Sequence, residues 1–320
     1  MILPNLIIPG AQKSGTTTFR EILRTHEAIY TGIEKEPHFF SQDRNYSQGV
    51  DLYRKNYAHY QGQKIVTDAS TSYMPLSFVP ERISETLDND VQFIIVLRNP
   101  IDRVISAFMH QNTYKRGDTK RNLINIIPKQ LEGLTLEELI QYEEASVRNG
   151  LSSGTIQSRD ETWSKSGFPF NYFFVSCYSK HISNYFKYFP KHNFLFLTFE
   201  EVIHFNEETI QKVAAFLNVA SSGFNTSVNI HANPSLVYKS RIFGVLTPLS
   251  TPLKHLLAKS KVKQLRSLTG KWLKEKPKFQ FSESTYRQLL EIFQPEIQRV
   301  EKLTGFDLSS WKVGSEISNN

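Results

Sequence analysis

Two cationic side chains, Lys13 and Arg98, each stand where a short apolar run gives way to a loop, and both are suited to holding an anion. The first run, Leu6-Ile7-Ile8-Pro9-Gly10, leads into Ala11-Gln12-Lys13-Ser14-Gly15-Thr16-Thr17-Thr18 and then into helical spacing. A strand, a glycine-containing loop and a helix N-terminus in that order present backbone N–H groups to an anion, and the helix dipole assists. Gly10 and Gly15 occupy the two glycine positions of G-x-x-x-x-G-K-S/T, but the next residue is Thr16, where the ATP-binding lysine belongs. The lysine lies inside the loop instead, as Lys13. The second run, Phe93-Ile94-Ile95-Val96-Leu97, ends on Arg98-Asn99-Pro100, where a Mg²⁺-dependent nucleotide hydrolase commonly places an aspartate. Either residue alone reads as an ordinary loop lysine or surface arginine. Together at strand ends they predict an anion site without the features of a metal–triphosphate site.

Positioning these residues falls to short β-rich runs alternating with helical patterns. Leu6 to Pro9, Lys64 to Thr67, Gln92 to Leu97 and Asn193 to Thr198 read as buried strands. Phe19, Ile22 and Leu23 follow the first at helical spacing, and Ile101, Val104, Ile105, Phe108 and Met109 follow the third. Strand, helix, strand implies parallel pairing through right-handed crossovers, with ligands at the carboxyl ends of the strands. The expected fold is therefore α/β, a P-loop-like three-layer arrangement with a central parallel sheet flanked by helices. Further helices are predicted over Asn206 to Leu217 and over Ser284 to Leu303, the latter with Pro295 as a candidate kink. No repeat or Pro/Gly-rich linker divides the chain, so residues 1–320 are expected to form one domain. The Ser/Gly/Thr-rich stretch from Gly150 to Phe170 reads as a surface connection or a loop over a site.

The chain has 320 residues, 39% hydrophobic and 22% charged, which is an ordinary globular composition rather than that of a disordered protein. Its formal charge of +7 favours an anionic partner. Cys177 is the only cysteine, which excludes an intrachain disulfide and a zinc site built on several thiolates. No apolar run reaches the roughly 18 residues that span a bilayer, and residues 1–10 lack a basic n-region and a cleavage site. A cytoplasmic setting is expected. Between 239 and 278, eleven Lys or Arg face one acid, Glu275, with leucines and Trp272 at roughly helical spacing. This basic amphipathic segment has three readings: a solvated face of a packed helix, a peripheral membrane contact, or a rim for an anionic acceptor.

At these residues the sequence resembles the PAPS-dependent sulfotransferase superfamily, particularly bacterial sulfotransferase-domain proteins and the heparan sulfate N- and 3-O-sulfotransferases. Pro9 to Thr17 looks like the family's 5′-phosphosulfate loop, and Leu97-Arg98-Asn99-Pro100-Ile101-Asp102-Arg103-Val104-Ile105-Ser106 like its 3′-phosphate motif. Lys35-Glu36-Pro37-His38-Phe39-Phe40 and Leu289 to Trp311 are also similar, and Asn233-Pro234 through Lys239-Ser240-Arg241 resembles the segment that closes over the nucleotide. The resemblance implies a sulfotransferase using 3′-phosphoadenosine 5′-phosphosulfate (PAPS) as co-substrate, without a metal, on a small-molecule, glycan or lipid acceptor; no nucleic-acid partner is expected.

The resemblance also assigns roles. Arg98 and Ser106 would bind the 3′-phosphate, and Lys239, Ser240 and Arg241 would contribute to the nucleotide site. Sulfuryl transfer builds charge on the leaving phosphate oxygen, a place for Lys13, while Ser14, Gly15, Thr16, Thr17 and Thr18 hold the 5′-phosphate at the helix start. Glu36 stands where the heparan sulfate enzymes carry their glutamate base; a solvated Glu in the run Glu34-Lys35-Glu36 is the plainer reading. His38 is the second candidate, or a packed histidine beside Phe39 and Phe40. At Ala69 the heparan sulfate enzymes carry a lysine, so the chain departs from them there. Asp68 lines a pocket or caps a loop, and His110, one helical turn after Ser106, faces the same way. The rivals are a P-loop nucleotide kinase and a non-catalytic binder of acidic lipid or polysaccharide.

Overall fold

The computed structural model describes residues 2–114, 131–152, 172–225, 237–238, 274–275 and 282–312. The organising element is β4 (Gln92–Leu97), with five of its six residues buried. Alternate strand residues point to opposite faces, so a run that is apolar at nearly every position needs cover on both. Phe93, Ile95 and Leu97 accordingly enter one hydrophobic cluster, and Ile94 and Val96 another.

With β1 (Leu6–Ile7), β2 (Ile29–Tyr30), β3 (Ile65–Asp68) and β5 (Phe194–Thr198), β4 forms a sheet of order β2-β3-β1-β4-β5. All four pairings are parallel. On one face lie α1 (Thr16–Leu23), through Phe19, Ile22 and Leu23, and the helix Glu207–Leu217, through Ile210, Val213 and Leu217. The opposite face is covered by Tyr178–Tyr185 and by the long helix Glu283–Thr304, which packs through Ile297 and Val300. A third cluster joins Pro100–Tyr114 to its neighbours through Ile101, Val104, Leu139, Phe173 and Phe293. At roughly 1.5–3 kcal/mol for each fully buried large apolar side chain, these faces supply the favourable term of folding.

This is the predicted α/β fold, with a central parallel sheet between layers of helix. Of the four predicted strands, Gln92–Leu97 is matched residue for residue and the other three are shifted by one or two residues, while β2 is additional to this sheet: two residues at its edge are too few to show alternation. The long helix, capped by Ser282 accepting from the Thr285 N–H at 3.1 Å, continues across Pro295 to Gly305. Residues 153–171 lie outside the described residues; of 239–278 only Lys274–Glu275 is described, and it forms a strand antiparallel to Val237–Tyr238 where helical spacing was expected. Because β3 and β4 flank β1 on opposite sides, the chain reverses its direction of progress across the sheet at β1, and the crevice at its carboxyl end is the expected ligand site. Among the described residues no helix is long and apolar enough to cross a membrane.

Candidate active site

The loop after β1 is pinned to β4 on one side and to the segment that follows β3 on the other. The Ala11 N–H donates to Val96 O at 2.7 Å, Val96 N–H to Gly10 O at 2.9 Å, and Met74 N–H to Pro9 O at 3.0 Å. Gly10 is required by that close approach, since a Cβ there would lie 2.9 Å from Met74 Cβ. Gly15, at φ 83°, turns the chain into α1. Ser14 and Thr16 are buried, Thr17 and Thr18 partly so, at the turn whose first N–H groups have no partner within the helix.

Lys13 adopts φ 70° and has no carboxylate partner among the described residues. Burial, then the charges of Arg98, Lys35 and Arg103, bring its ammonium down to about 8. A desolvated cation beside further cations is an unfavourable cluster that an anion would relieve. Arg98 Nη1 donates to the Lys13 carbonyl at 3.2 Å, and its guanidinium carbon lies 4.1 Å from the Phe199 ring centroid. Its Nε is buried without a hydrogen-bond partner. Tyr178 Oη fixes the Arg98 carbonyl at 2.9 Å. Ser106, two turns into Pro100–Tyr114, is partly buried, and no side-chain hydrogen bond among the described residues joins it to Arg98.

Glu36 and His38 follow β2 in a loop where both have positive φ, at 59° and 54°. Such backbone is uncommon outside glycine and clusters at functional sites. Glu36 Oε1 accepts from Thr71 Oγ1 at 3.0 Å and lies 3.4 Å from Lys35 Nζ; its Oε2 lies 3.6 Å from His38 Nε2. His38 Nδ1 is 2.8 Å from Ser72 Oγ. Lys35 Nζ donates to Thr17 Oγ1 at 2.5 Å, which connects this group to the start of α1. His110 belongs to the same neighbourhood: burial and then the charge of Lys13 lower its imidazole to about 4, with Glu36 opposing and Lys35 reinforcing. Lys13, Arg98, Glu36 and His38 therefore stand on loops that leave the carboxyl ends of β1, β4 and β2.

Asp68 resolves as a structural acceptor. It is 1% exposed and takes Tyr53 Oη at 2.6 Å, Tyr73 Oη at 2.8 Å and Ser70 Oγ at 2.7 Å. Ala69 is buried beneath the sheet in the cluster containing α1. Lys239, Ser240 and Arg241 lie outside the described residues. Within those residues no group of three or more His, Cys, Asp or Glu is placed to hold a metal ion.

Several contributors carry no sequence signature. Buried Arg20, on α1, donates to the carbonyls of Thr31 at 3.0 Å and Gly32 at 3.1 Å, and so anchors the loop that leads to Glu36. Buried Arg103 donates to Ser176 Oγ at 2.7 Å and to the Tyr172 carbonyl. Glu143, raised to about 8 by burial, accepts from the N–H groups of Phe173 at 3.3 Å and Phe174 at 3.1 Å. These two side chains hold Tyr172–Val175 between Pro100–Tyr114, which carries Arg103, and the helix Leu136–Ser152, which carries Glu143, ahead of the tyrosine that holds Arg98. Pairing across 69 residues of sequence cannot be read from residue order.

A family model described as "Sulfotransferase domain" matches residues 3–307. The chain is 30% identical over 217 residues to heparan sulfate glucosamine 3-O-sulfotransferase 3B1 of Mus musculus, covering 68% of this chain and 46% of that protein. It is 26% identical over 217 residues to heparan sulfate glucosamine 3-O-sulfotransferase 5 of Homo sapiens, covering 68% and 54%. The chain thus spans about half the length of the curated relatives it matches. Its fold matches the crystal structure of a sulfotransferase from Alicyclobacillus acidocaldarius with a TM-score of 0.60 at 21% identity, over 98% of this chain and 100% of the other.

Proposed function

The chain belongs to the sulfotransferase-domain family, and on that premise we propose that it transfers a sulfuryl group from PAPS to a hydroxyl or amine of an acceptor. One observation carries this reading: Lys13, lacking a carboxylate partner among the described residues, lies in the field of Arg98 and Lys35 at the start of α1. The unpartnered Nε of Arg98 fits the same need for an anion. The named relatives favour a sugar hydroxyl within the carbohydrate, lipid or secondary-metabolite class of acceptors.

The donor supplies a sulfuryl group whose S–O bond to phosphate breaks as an S–O bond to an acceptor hydroxyl, or an S–N bond to an acceptor amine, forms. In this reading Ser14, Thr16, Thr17, Thr18 and the amide of Gly15 hold the 5′-phosphate, and Lys13 meets the charge that grows on the departing oxygen. Arg98 and Ser106 hold the 3′-phosphate, and Lys239, Ser240 and Arg241 close over the nucleotide. Glu36 Oε2 takes the acceptor's proton, with His38 as the alternative site for it. Side-chain cations meet all the negative charge, so the reaction requires no metal. The reading takes 1–320 as one domain acting in the cytoplasm, with 239–278 as a basic segment that is solvated, meets a membrane or rims an anionic acceptor.

Calorimetry with adenosine 3′,5′-bisphosphate in a chelating buffer, followed by turnover of labelled PAPS on unsulfated heparan-type oligosaccharide, tests the assignment. Metal-free bisphosphate binding is expected. Tight binding of ATP with Mg²⁺ and none of the bisphosphate would overturn it.

A further inference from the structure

Lys35 is a neighbour of the base in sequence, and an ion pair between adjacent surface residues is ordinarily worth little. Its contacts are not confined to that pair. The Nζ reaches 18 residues back to Thr17 Oγ1 at 2.5 Å while lying 3.4 Å from Glu36 Oε1, and about two-thirds of the side chain is buried. A hydroxyl that accepts from an ammonium keeps its own hydrogen free, so Thr17 can still donate to an anion at the start of α1. The loop that presents Lys35 is independently fixed. Arg20 holds the carbonyls of Thr31 and Gly32, and Asn56 accepts from the Glu34 N–H at 2.7 Å through Oδ1 and from the Ile33 N–H at 2.9 Å through its carbonyl.

From this geometry we infer that Lys35 is a positioning residue for sulfuryl transfer, a cationic bridge that sets the Glu36 carboxylate and the Thr17 hydroxyl in register across two loops. The inference rests on the sulfotransferase reading above. Lys35 forms and breaks no bond in the reaction. It fixes where the proton acceptor stands relative to the phosphate loop, and its charge adds to the field that Lys13 and His110 both sense. Ala69 packs uncharged in the apolar cluster that contains α1, and Lys35 brings a cation to the Glu36 carboxylate from the β2 loop.

The test compares Lys35→Met, which keeps the apolar stem and removes the charge, with Lys35→Arg, which retains a cation long enough to reach both partners. Full-length variants are assayed for bisphosphate affinity by calorimetry, for kcat and KM with labelled PAPS, and for thermal midpoint. Misplacing a reacting group by about 1 Å can cost roughly 100-fold, so Lys35→Met is expected to lose kcat on that scale, with bisphosphate Kd changed by less than about threefold. Lys35→Arg is expected to recover most of the loss. An unchanged kcat in Lys35→Met, or a loss in Lys35→Met that Lys35→Arg shares in full, overturns the proposal. A wild-type protein that neither binds the bisphosphate nor turns over PAPS overturns the underlying reading instead, and the two failures are told apart by the wild-type measurement.

Discussion

Arg98 donates to the main-chain carbonyl of Lys13 at 3.2 Å, joining two cations 85 residues apart beyond the carboxyl ends of β1 and β4. The contact uses one edge of a planar guanidinium whose face lies on Phe199 and whose Nε remains unpartnered. A lysine can supply the charge here but neither the fork nor the stacked plane. Arg98→Lys is therefore expected to weaken bisphosphate binding by about 10- to 100-fold, the range of one lost hydrogen bond to a charged group. Calorimetry checks it; wild-type affinity would show that the phosphate contact lies elsewhere.

The cost of the Lys13 position appears in the unliganded protein. Its folded value, about 8, lies below the ordinary lysine value of 10.5, so between those limits the unfolded chain binds more protons and stability rises with pH. Below about pH 8 the penalty is fully present. Lys13→Met is expected to raise unliganded stability at pH 7 by ~1–2 kcal/mol after solvent relaxation, and to abolish bisphosphate binding. Denaturant melts at pH 7 and pH 10 measure the gain, which should shrink at the higher pH. A destabilised variant at pH 7 would show that the ammonium is already well satisfied.

In the proposed site the same group is expected to act on ligand affinity in the opposite sense. An anion favours the charged ammonium, so binding takes up a proton where the free protein has lost it. Bisphosphate affinity is expected to be flat below about pH 8 and then to fall by up to about tenfold per pH unit toward 10.5. Titrations in two buffers of different ionisation enthalpy detect the proton. A flat profile through pH 10 would remove Lys13 from the binding site.

How far the sequence revealed this site differs residue by residue. Lys13 and Arg98 were visible because each ends a strongly apolar strand, and a parallel sheet brings such ends together by topology alone. Glu36 and His38 were visible only through resemblance: β2, the strand that delivers them, has two residues and no periodicity. Arg20 and Arg103 were invisible, because a buried arginine that satisfies main-chain carbonyls looks in sequence like any solvated one. The Arg103–Glu143 clamp connects elements whose approach depends on packing in the third hydrophobic cluster.

Arg20 gives the clearest test of positioning at a distance. Its guanidinium holds two carbonyls of the β2 loop, and removing it leaves both without that donor, at about 1–3 kcal/mol each where burial excludes water. Arg20→Met is expected to lower the thermal midpoint and to reduce kcat more than bisphosphate affinity, since Glu36 moves and the phosphate loop does not. Equal loss of kcat and affinity would mean that α1 itself has shifted.

Glu36→Gln tests the proposed proton-transfer step, because the amide keeps the shape of the carboxylate and its acceptor oxygen can still take the Thr71 hydroxyl. General-base catalysis contributes about 10²–10⁴-fold, so kcat is expected to fall by that factor while bisphosphate affinity stays within about threefold. The 3.6 Å approach of His38 Nε2 to Glu36 Oε2 gives the system a second group that could accept the proton. His38→Asn, which retains a polar contact for Ser72, separates the two. If Glu36 is the base, His38→Asn costs little and the double variant matches Glu36→Gln; if the histidine is the base, His38→Asn alone carries the full loss. Near-wild-type turnover in Glu36→Gln removes the carboxylate from the chemistry, and its contacts with Lys35 and Thr71 then serve only to hold the loop.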